Sequence, residues 1–297
     1  VFNSYDTDYV EGTGKRWKAR FTNDNWLDSY ALRFPESKMS MRMMNELYSN
    51  LGAYIHYMAV SIGYSINLNH AIAGKPIDQR RFDFSFNCAR FCLDLAYSEN
   101  TGGSYMRTFG NYRDGHLFKS YFPGLEQHTF SCDLYYFFNN RKYSQGAAYN
   151  FSRLQRKSAG SFILGFNYSN QDISLDFSTL DPKLLPYLKI NTYFLKIHYS
   201  NYCLLFGYGY NWAITRNLLY NISAMPSIGF NRCFEDSADG ATTLLSLNIK
   251  GRMSLTYNYR SLFMGLIARM DGHWYRSPRH SLFNSIATFS ANVGVRF

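Results

Sequence analysis

The chain has 297 residues, a formal net charge of +10, and an aromatic fraction of 19% that comes mostly from 26 Tyr and 25 Phe. It contains no apolar run of about 18 residues, the minimum for a membrane-spanning helix, so a helical membrane protein is excluded. Aromatic residues suit strand surfaces and membrane interfaces, which leaves a soluble β protein or a membrane β-barrel. The five scattered cysteines fit neither a disulfide framework nor a zinc module.

The N-terminal residues contain none of the features of a signal peptide. The stretch from Val1 to Asp6 has no basic n-region and no apolar h-region. We therefore expect a mature N-terminus from which an export signal has been removed. Residues 1–14 are predicted to be a periplasmic segment, and residues 15–297 to be one transmembrane β-barrel domain.

Apolar side chains recur at every second position along the chain, as expected for strands with one apolar face. A proline at position 226 lies inside one of these runs, which predicts a bulge or a local break there. In chain order, the side chains predicted to face outward are Val60, Ile62, Tyr64 and Ile66; Phe82, Phe84 and Phe86; Phe91, Leu93, Leu95 and Tyr97; Phe162, Leu164, Phe166 and Tyr168; Leu204, Phe206, Tyr208, Tyr210 and Trp212; and Ile222, Ala224, Ile228 and Phe230.

Five short connections between these runs are predicted to be tight turns. They are Tyr57-Met58, Asn87 to Arg90, Asn139 to Lys142, Thr215 to Asn217 and Asn258 to Ser261. Short turns that alternate with longer connections are typical of outer-membrane barrels.

The clearest alternation lies in the last sixty residues. From Leu245 to Tyr259 the odd positions are apolar or Tyr apart from Gly251, whereas the even positions are polar and include Lys250 and Arg252. Strands in soluble sheets usually have about 5–6 residues, whereas tilted membrane strands need about 9–11. A closed barrel also leaves no unpaired strand edge in hydrocarbon.

This pattern predicts an all-β fold, a transmembrane antiparallel β-barrel of fourteen strands. Twelve strands are the alternative, because residues 24–38 and 171–200 show no clear alternation. The terminal Phe297 closes an alternating strand and resembles the C-terminal recognition signal of outer-membrane proteins. We therefore expect the protein in a bacterial outer membrane.

The polar face of the strands carries more cations than acids. One interpretation is a basic lumen that guides anions through a narrow pore. The other, which we favour, is a structural network of paired charges, with Asp83 facing Arg90 across a turn. The predicted network comprises Arg81, Asp83, Arg90, Asp94, Lys250, Arg252, Arg269, Asp271 and Arg296, and the wider inward-facing set adds Arg20, Arg42, Lys196 and Asp133.

No catalytic residue, cofactor or metal site is predicted. Asp271 and His273 share a face, and with Asp6 and Asp8 they faintly resemble outer-membrane aspartyl-type proteases, but the two pairs are expected at opposite ends of the barrel. The seven histidines lack metal-ligand spacing. The aromatic side chains are expected to face lipid, which argues against nucleic-acid binding.

Several segments resemble a known family. The run from Tyr135 to Ser144, the triplet Ala147-Ala148-Tyr149 and the run from Gln155 to Phe162 resemble a family of Bacteroidota outer-membrane barrels catalogued as a domain of unknown function. The opening Tyr5 to Tyr9 and the segment from Leu51 to Ser65 are similar too, so the resemblance covers nearly the whole chain. It implies a porin-like barrel and its compartment, and it carries no established catalytic residues.

These observations favour a non-enzymatic integral outer-membrane barrel that acts as an accessory or scaffold subunit of a larger cell-envelope complex. The expected partners are outer-membrane lipid, lipopolysaccharide and other outer-membrane or lipoprotein subunits, and no nucleic acid. A narrow anion-leaning channel or transporter is the alternative. An outer-membrane hydrolase is a second alternative.

Overall fold

A computed structural model describes residues 4–57, 60–73, 79–190, 192–233, 243–277 and 280–297. The strands are β1 (Val10–Gly12), β2 (Trp17–Phe34), β3 (Met39–Met44), β4 (Tyr48–Tyr57), β5 (Val60–Asn67), β6 (Gln79–Asn87), β7 (Phe91–Asn100), β8 (Ser104–Phe109), β9 (Ser120–Phe122), β10 (Leu125–Phe137), β11 (Arg153–Gln155), β12 (Ala159–Asp176), β13 (Phe194–Ala213), β14 (Leu218–Cys233), β15 (Thr243–Tyr259), β16 (Leu262–Arg276) and β17 (Ser281–Arg296). The helices are α1 (Leu68–Ala73) and α2 (Gln145–Tyr149), with short 3₁₀ helices at Tyr112–Gly115, Phe177–Thr179 and Leu185–Tyr187. No helix among the described residues has the length and apolar composition needed to cross a membrane.

A curled antiparallel sheet forms the barrel wall, which confirms the predicted fold class. Its hydrogen-bonded series runs β5–β4–β2–β17–β16–β15–β14–β13–β12–β10–β7–β6. The short strands β3, β8 and β9 continue the sheet from the second half of β2. The described residues therefore give twelve wall strands plus three short ones, and the count of fourteen is not confirmed.

The count differs because the segments without clear alternation belong to long strands. Residues 24–34 are the second half of β2, which continues unbroken from Trp17. Residues 171–176 and 194–200 extend β12 and β13 rather than forming strands of their own. Long strands thus replace the additional short ones that an even tally of fourteen requires.

The start of β2 and Phe297 meet at one end of the barrel, which we call the terminal end. Trp17 N donates to Phe297 O at 3.1 Å, and Phe297 N donates to Trp17 O at 3.0 Å. The short turns after β6, β13 and β15 also lie here, which confirms three of the five predicted tight turns. Met58 of the predicted Tyr57-Met58 turn lies outside the described residues. We call the opposite end the loop end.

The outer wall is apolar, as the alternation predicts. In β15 the exposed side chains fall on odd positions and the buried ones on even positions. Phe82, Phe162, Phe206 and Leu245 are all exposed on this outer face. An apolar band around a closed polar interior is the pattern of a transmembrane barrel.

Pro226 breaks the pairing locally but produces no bulge. The register of β13 with β14 is the same on both sides, with Leu205 opposite Ser227 and Tyr208 opposite Ala224. Proline has no N–H to donate, so the ladder loses pairs beside it without shifting register.

Near the loop end, the apolar side chains of the strands change from the outer face to the inner face. In β12, Phe162 and Phe166 face outward near the terminal end, whereas Ile173 and Leu175 are buried inside near the loop end. A strand whose apolar side chains face inward and whose polar side chains face outward is typical of a wall in contact with water. The wall therefore extends beyond the apolar band at its loop end.

This inversion corrects two predicted inward positions. Lys196 lies on the outer face, where its Nζ is 3.2 Å from Asp172 Oδ2, and its neighbour Ile197 is buried inside. Arg42 is exposed between the buried Met41 and Met43.

Candidate functional site

The loop end of the lumen is closed by an apolar cluster, which we call the loop-end core. Side chains from β2, β3, β8, β9, β10, β12, β13, β14, β16 and β17 converge there. Tyr30, Met41, Phe122, Phe177 and Tyr199 are each at most 2% exposed. The rings of Phe122 and Phe177 stack with their centroids 5.8 Å apart. These side chains are shielded from water and fill the loop end of the lumen in the described part of the chain.

The middle of the lumen holds buried ion pairs. Lys250 Nζ lies 2.6 Å from Asp133 Oδ2 and 3.6 Å from Asp271 Oδ1. Asp133 Oδ1 accepts a hydrogen bond from Asn167 Nδ2 at 2.6 Å, and Asn201 Nδ2 donates to Asn167 Oδ1 at 2.9 Å. These contacts connect β15 with β10, which are separated along the wall by the three strands β14, β13 and β12, so they cross the lumen.

A second buried pair lies beside the first. Arg252 Nη2 donates to Asp94 Oδ2 at 2.8 Å and to the Tyr135 hydroxyl at 2.8 Å. Ser85 donates to the other carboxylate oxygen of Asp94. Charges that are buried in low dielectric and paired this closely act as structural ties across the lumen.

The remaining residues of the predicted network do not all join it. Asp83 pairs with Arg81, with a Nε–Oδ2 distance of 2.8 Å, rather than with Arg90 as predicted. The reason is geometric, because side chains two positions apart on one strand share a face. Arg269 lies over the ring of Tyr149 at 6.0 Å.

Residues 138–158 enter the lumen at the terminal end and form a plug. Asn139 to Lys142 turn within this segment but do not join two strands directly, so the tight turn predicted there is wrong as a strand connection. Helix α2 lies in the plug, and all of its residues are buried. Its N-cap is Ser144, whose Oγ accepts from Ala147 N at 3.2 Å. The plug is packed inside the wall rather than on the membrane surface.

Hydrogen bonds tie the plug backbone to the wall. Asn211 Nδ2 donates to Ser144 O at 3.0 Å, and Thr256 Oγ1 donates to Ala148 O at 3.2 Å. Buried carbonyl groups that receive such donors avoid the cost of an unmet hydrogen bond.

The tyrosine at the end of α2 is also fixed. The Tyr149 hydroxyl donates to Asn221 Oδ1 at 2.5 Å. Burial raises the pKa of Tyr149 to about 12, so this hydroxyl keeps its proton and remains a donor near neutral pH.

The N-terminal segment packs onto the plug from outside the barrel. Strand β1 pairs antiparallel with β11, with Val10 opposite Gln155. Arg156 Nε donates to Glu11 Oε2 at 2.6 Å, and Lys157 Nζ lies 3.4 Å from Asp8 Oδ2. Residues 1–3 of the predicted periplasmic segment lie outside the described residues.

A cavity of about 910 Å³ lies beside the plug, bordered by β2, β4, β5, β6, β16 and β17. Its lining contains eight Lys and Arg residues and two Asp residues, a formal excess of six positive charges. Arg20, Arg81, Arg269 and Arg296 from the predicted inward set all line it. The sequence indicated the cationic lumen but not this localised cavity, because its position depends on where the plug lies.

The candidate hydrolase residues lie apart. Asp6 and Asp8 are at the terminal end, where Asp6 N donates to Arg141 O at 2.9 Å. Asp271 lies within β16 beside Lys250. No group of three or more metal-ligating side chains occurs in the part of the chain that the structure describes.

The family model described as Domain of unknown function (DUF4421) matches residues 4–297. The chain belongs to this family. No curated protein matches the DUF4421 chain at a significant level. The wall, the plug and the cavity all lie within the matched residues.

Solved structures of outer-membrane proteins are similar to the DUF4421 chain. They include the outer membrane protease OmpT from Escherichia coli, at 7% identity and a TM-score of 0.41, covering 98% of this chain and 100% of that one. The outer membrane protein OprG from Pseudomonas aeruginosa is 9% identical, with a TM-score of 0.26 and coverages of 97% and 99%. Neisserial surface protein A is 12% identical, with a TM-score of 0.24 and coverages of 93% and 97%.

Proposed function

We propose that this DUF4421 protein is a non-enzymatic, non-conducting barrel of the bacterial outer membrane, in the Bacteroidota, and an accessory or scaffold subunit of a larger cell-envelope complex. The observation that carries the proposal is the loop-end core, which closes the lumen with apolar side chains from around the wall. In this proposal the terminal end, with its short turns, faces the periplasm, as in other outer-membrane barrels.

The interior supports a structural role for the lumen. Lys250 and Arg252 are each held by buried carboxylates, and the plug is hydrogen-bonded to the wall. Asp271, the candidate hydrolase residue, lies 3.6 Å from the Lys250 ammonium, which holds it as part of this network. In this proposal, partner subunits bind to the surface of the protein rather than in its lumen. One such surface is the β1–β11 sheet at the terminal end, whose Glu11 is exposed.

Purified protein in planar lipid bilayers is expected to give no steady current above the lipid baseline. The reason is that an ion that crosses the apolar loop-end core would have to give up its hydration without polar groups to replace it. Single-channel recording measures this, and flotation of proteoliposomes from the same preparation verifies insertion. A steady anion-selective current would establish the channel alternative, which the cationic cavity favours.

Extraction in a mild detergent is expected to recover the barrel together with other outer-membrane or lipoprotein subunits. Affinity purification followed by quantitative mass spectrometry measures this, with another tagged barrel of similar abundance as the control. Recovery of the barrel alone, at the background level of the control, contradicts the scaffold role.

A further inference from the structure

The cavity beside the plug, which we call the terminal-end cavity, is lined by cations. Most of the contacts that position these cations come from neutral groups. Lys18 Nζ donates to Asn150 O at 2.6 Å, and Arg296 Nε donates to Phe151 O at 2.9 Å. Arg20 lies over the ring of Tyr54 at 5.1 Å, and Arg269 makes no ion pair with an acid within the described residues. Carbonyl groups and rings orient a cation without cancelling its charge, so the cavity keeps a positive field.

Two side chains of this cavity each have a buried nitrogen without a partner. Arg20 Nε and His56 Nε2 make no hydrogen bond within the described residues. Both residues line the cavity. Buried polar groups are nearly always hydrogen-bonded, so the Arg20 guanidinium has an unused donor beside the cavity, and the His56 ring nitrogen donates or accepts according to its tautomer. A phosphate group offers several anionic oxygens and suits guanidinium donors.

Strands β5 and β6 end the hydrogen-bonded series, and no register pairs one with the other in the described part of the chain. Both border the cavity, β5 through Ser65 and β6 through Ser85. Phe82 and Phe86 also line it, although they are 64% and 46% exposed on the apolar outer face. The lining of the cavity thus includes both cationic side chains of the interior and aromatic side chains of the lipid-facing surface.

We propose that this cavity binds the phosphate headgroup of an anionic phospholipid from the periplasmic leaflet, admitted between β5 and β6. The headgroup lies among Arg20, Arg269 and His56, and the acyl chains lie along the aromatic ridge of Phe82, Phe84 and Phe86. Unpaired strand edges are costly in hydrocarbon, and a polar headgroup between them supplies hydrogen-bonding groups that hydrocarbon lacks. A cavity of this size is within the range that binds small molecules, about 300–1,000 Å³.

Lipid binding by this cavity is independent of the scaffold role and needs no partner protein. The experiment below uses the barrel alone in detergent, so failure to recover partner subunits and failure to bind lipid are separate results.

The test is a titration of delipidated barrel with short-chain phosphatidylglycerol, followed by native mass spectrometry. Phosphatidylcholine with the same chains is the matched zwitterionic ligand, and glycerol phosphate is the headgroup without chains. We expect phosphatidylglycerol to bind at least about tenfold more tightly than phosphatidylcholine, as the charge-assisted contacts require. Glycerol phosphate is expected to bind at least about tenfold more weakly, because it lacks the apolar chains.

Variants assign the binding to the cavity. The double variant Arg20→Gln with Arg269→Gln is expected to bind phosphatidylglycerol no better than phosphatidylcholine, whereas Arg20→Lys alone retains part of the preference. Lys196→Gln removes a cation from the outer face near the loop end and leaves the preference unchanged. Phe82→Ala weakens phosphatidylglycerol and leaves glycerol phosphate unaffected.

Three results overturn the proposal. They are equal affinity for the two phospholipids, an unchanged preference in the double variant, and glycerol phosphate binding as tightly as phosphatidylglycerol, which identifies a site for a soluble anion. Far-UV circular dichroism verifies that each variant is folded. If the double variant fails to fold, Arg20→Lys is the test, and an unchanged preference for phosphatidylglycerol in that variant overturns the proposal.

Discussion

Replacing Asp133 by alanine is expected to lower the free energy of unfolding by about 3–5 kcal/mol, the cost of breaking a buried ion pair on one side. The side chain of Lys250 is 3% exposed and its ammonium lies 2.6 Å from Asp133. Without this carboxylate the buried charge retains only Asp271, at 3.6 Å. Asn167 also loses the acceptor of its amide. Reversible urea unfolding in lipid vesicles, followed by tryptophan fluorescence, measures the change.

The matched control is Asp172→Ala on the outer face. Asp172 lies 3.2 Å from Lys196, whose side chain is 54% exposed, so its loss is expected to cost no more than about 1 kcal/mol. Equal effects of Asp133→Ala and Asp172→Ala would show that the buried pair is not a tie across the lumen.

The charged face of the wall could be predicted from the sequence, but its pairing could not. Lys250 and Arg252 fall on the polar side of an unbroken alternation, and period-2 geometry fixes that they face inward. Their partners Asp133 and Asp94 lie on β10 and β7, far along the wall. Which strands face each other across the lumen depends on the curvature of the closed sheet, which local patterns do not encode.

The sequence pattern does not predict the loop-end core if apolar residues are expected to face outward along the whole length of every strand. In the apolar band, apolar residues face outward, whereas Ile173, Leu175 and Ile197 beyond it face inward. The solvent outside the wall changes from lipid to water along a single strand, so the apolar face changes side. Residues 24–38 and 171–200 lacked a clear pattern because they contain this change.

The sequence pattern does not predict the plug either, for a different reason. Helix α2 has five residues, too few for helical periodicity, and the segment around it contains turn formers such as Asn139 and Asn140. Its burial comes entirely from the surrounding wall. The paired small residues Ala147 and Ala148, both 0% exposed, were the available signal, because small side chains permit close approach inside a barrel.

Replacing Gly265 by valine is expected to displace the plug. A Cβ at this position of β16 would lie 2.3 Å from Phe151 Cε1, far inside contact distance. The backbone of Gly265 is fixed by pairing with Thr256 on β15 and Asn292 on β17, so the ring must move. Phe151 is fully buried and stacks on Phe263 with the centroids 4.8 Å apart. We expect overpacking to lower the free energy of unfolding by about 1–3 kcal/mol or more. We also expect faster tryptic cleavage within residues 138–158, measured by limited proteolysis and mass spectrometry.

Gly251→Val supplies the matched control, since it makes the same change in the neighbouring strand β15. A Cβ at Gly251 meets nothing within 4 Å, so the plug should be cleaved at the wild-type rate. Adding Phe151→Ala to Gly265→Val removes the clashing ring, and we expect cleavage to slow relative to Gly265→Val alone. If Gly265→Val and Gly251→Val are cleaved equally slowly, Phe151 is not the side chain that holds the plug against the wall. Rescue by Phe151→Ala separates displacement of the plug from damage to the strand, because a distorted β16 stays distorted whichever residue occupies position 151.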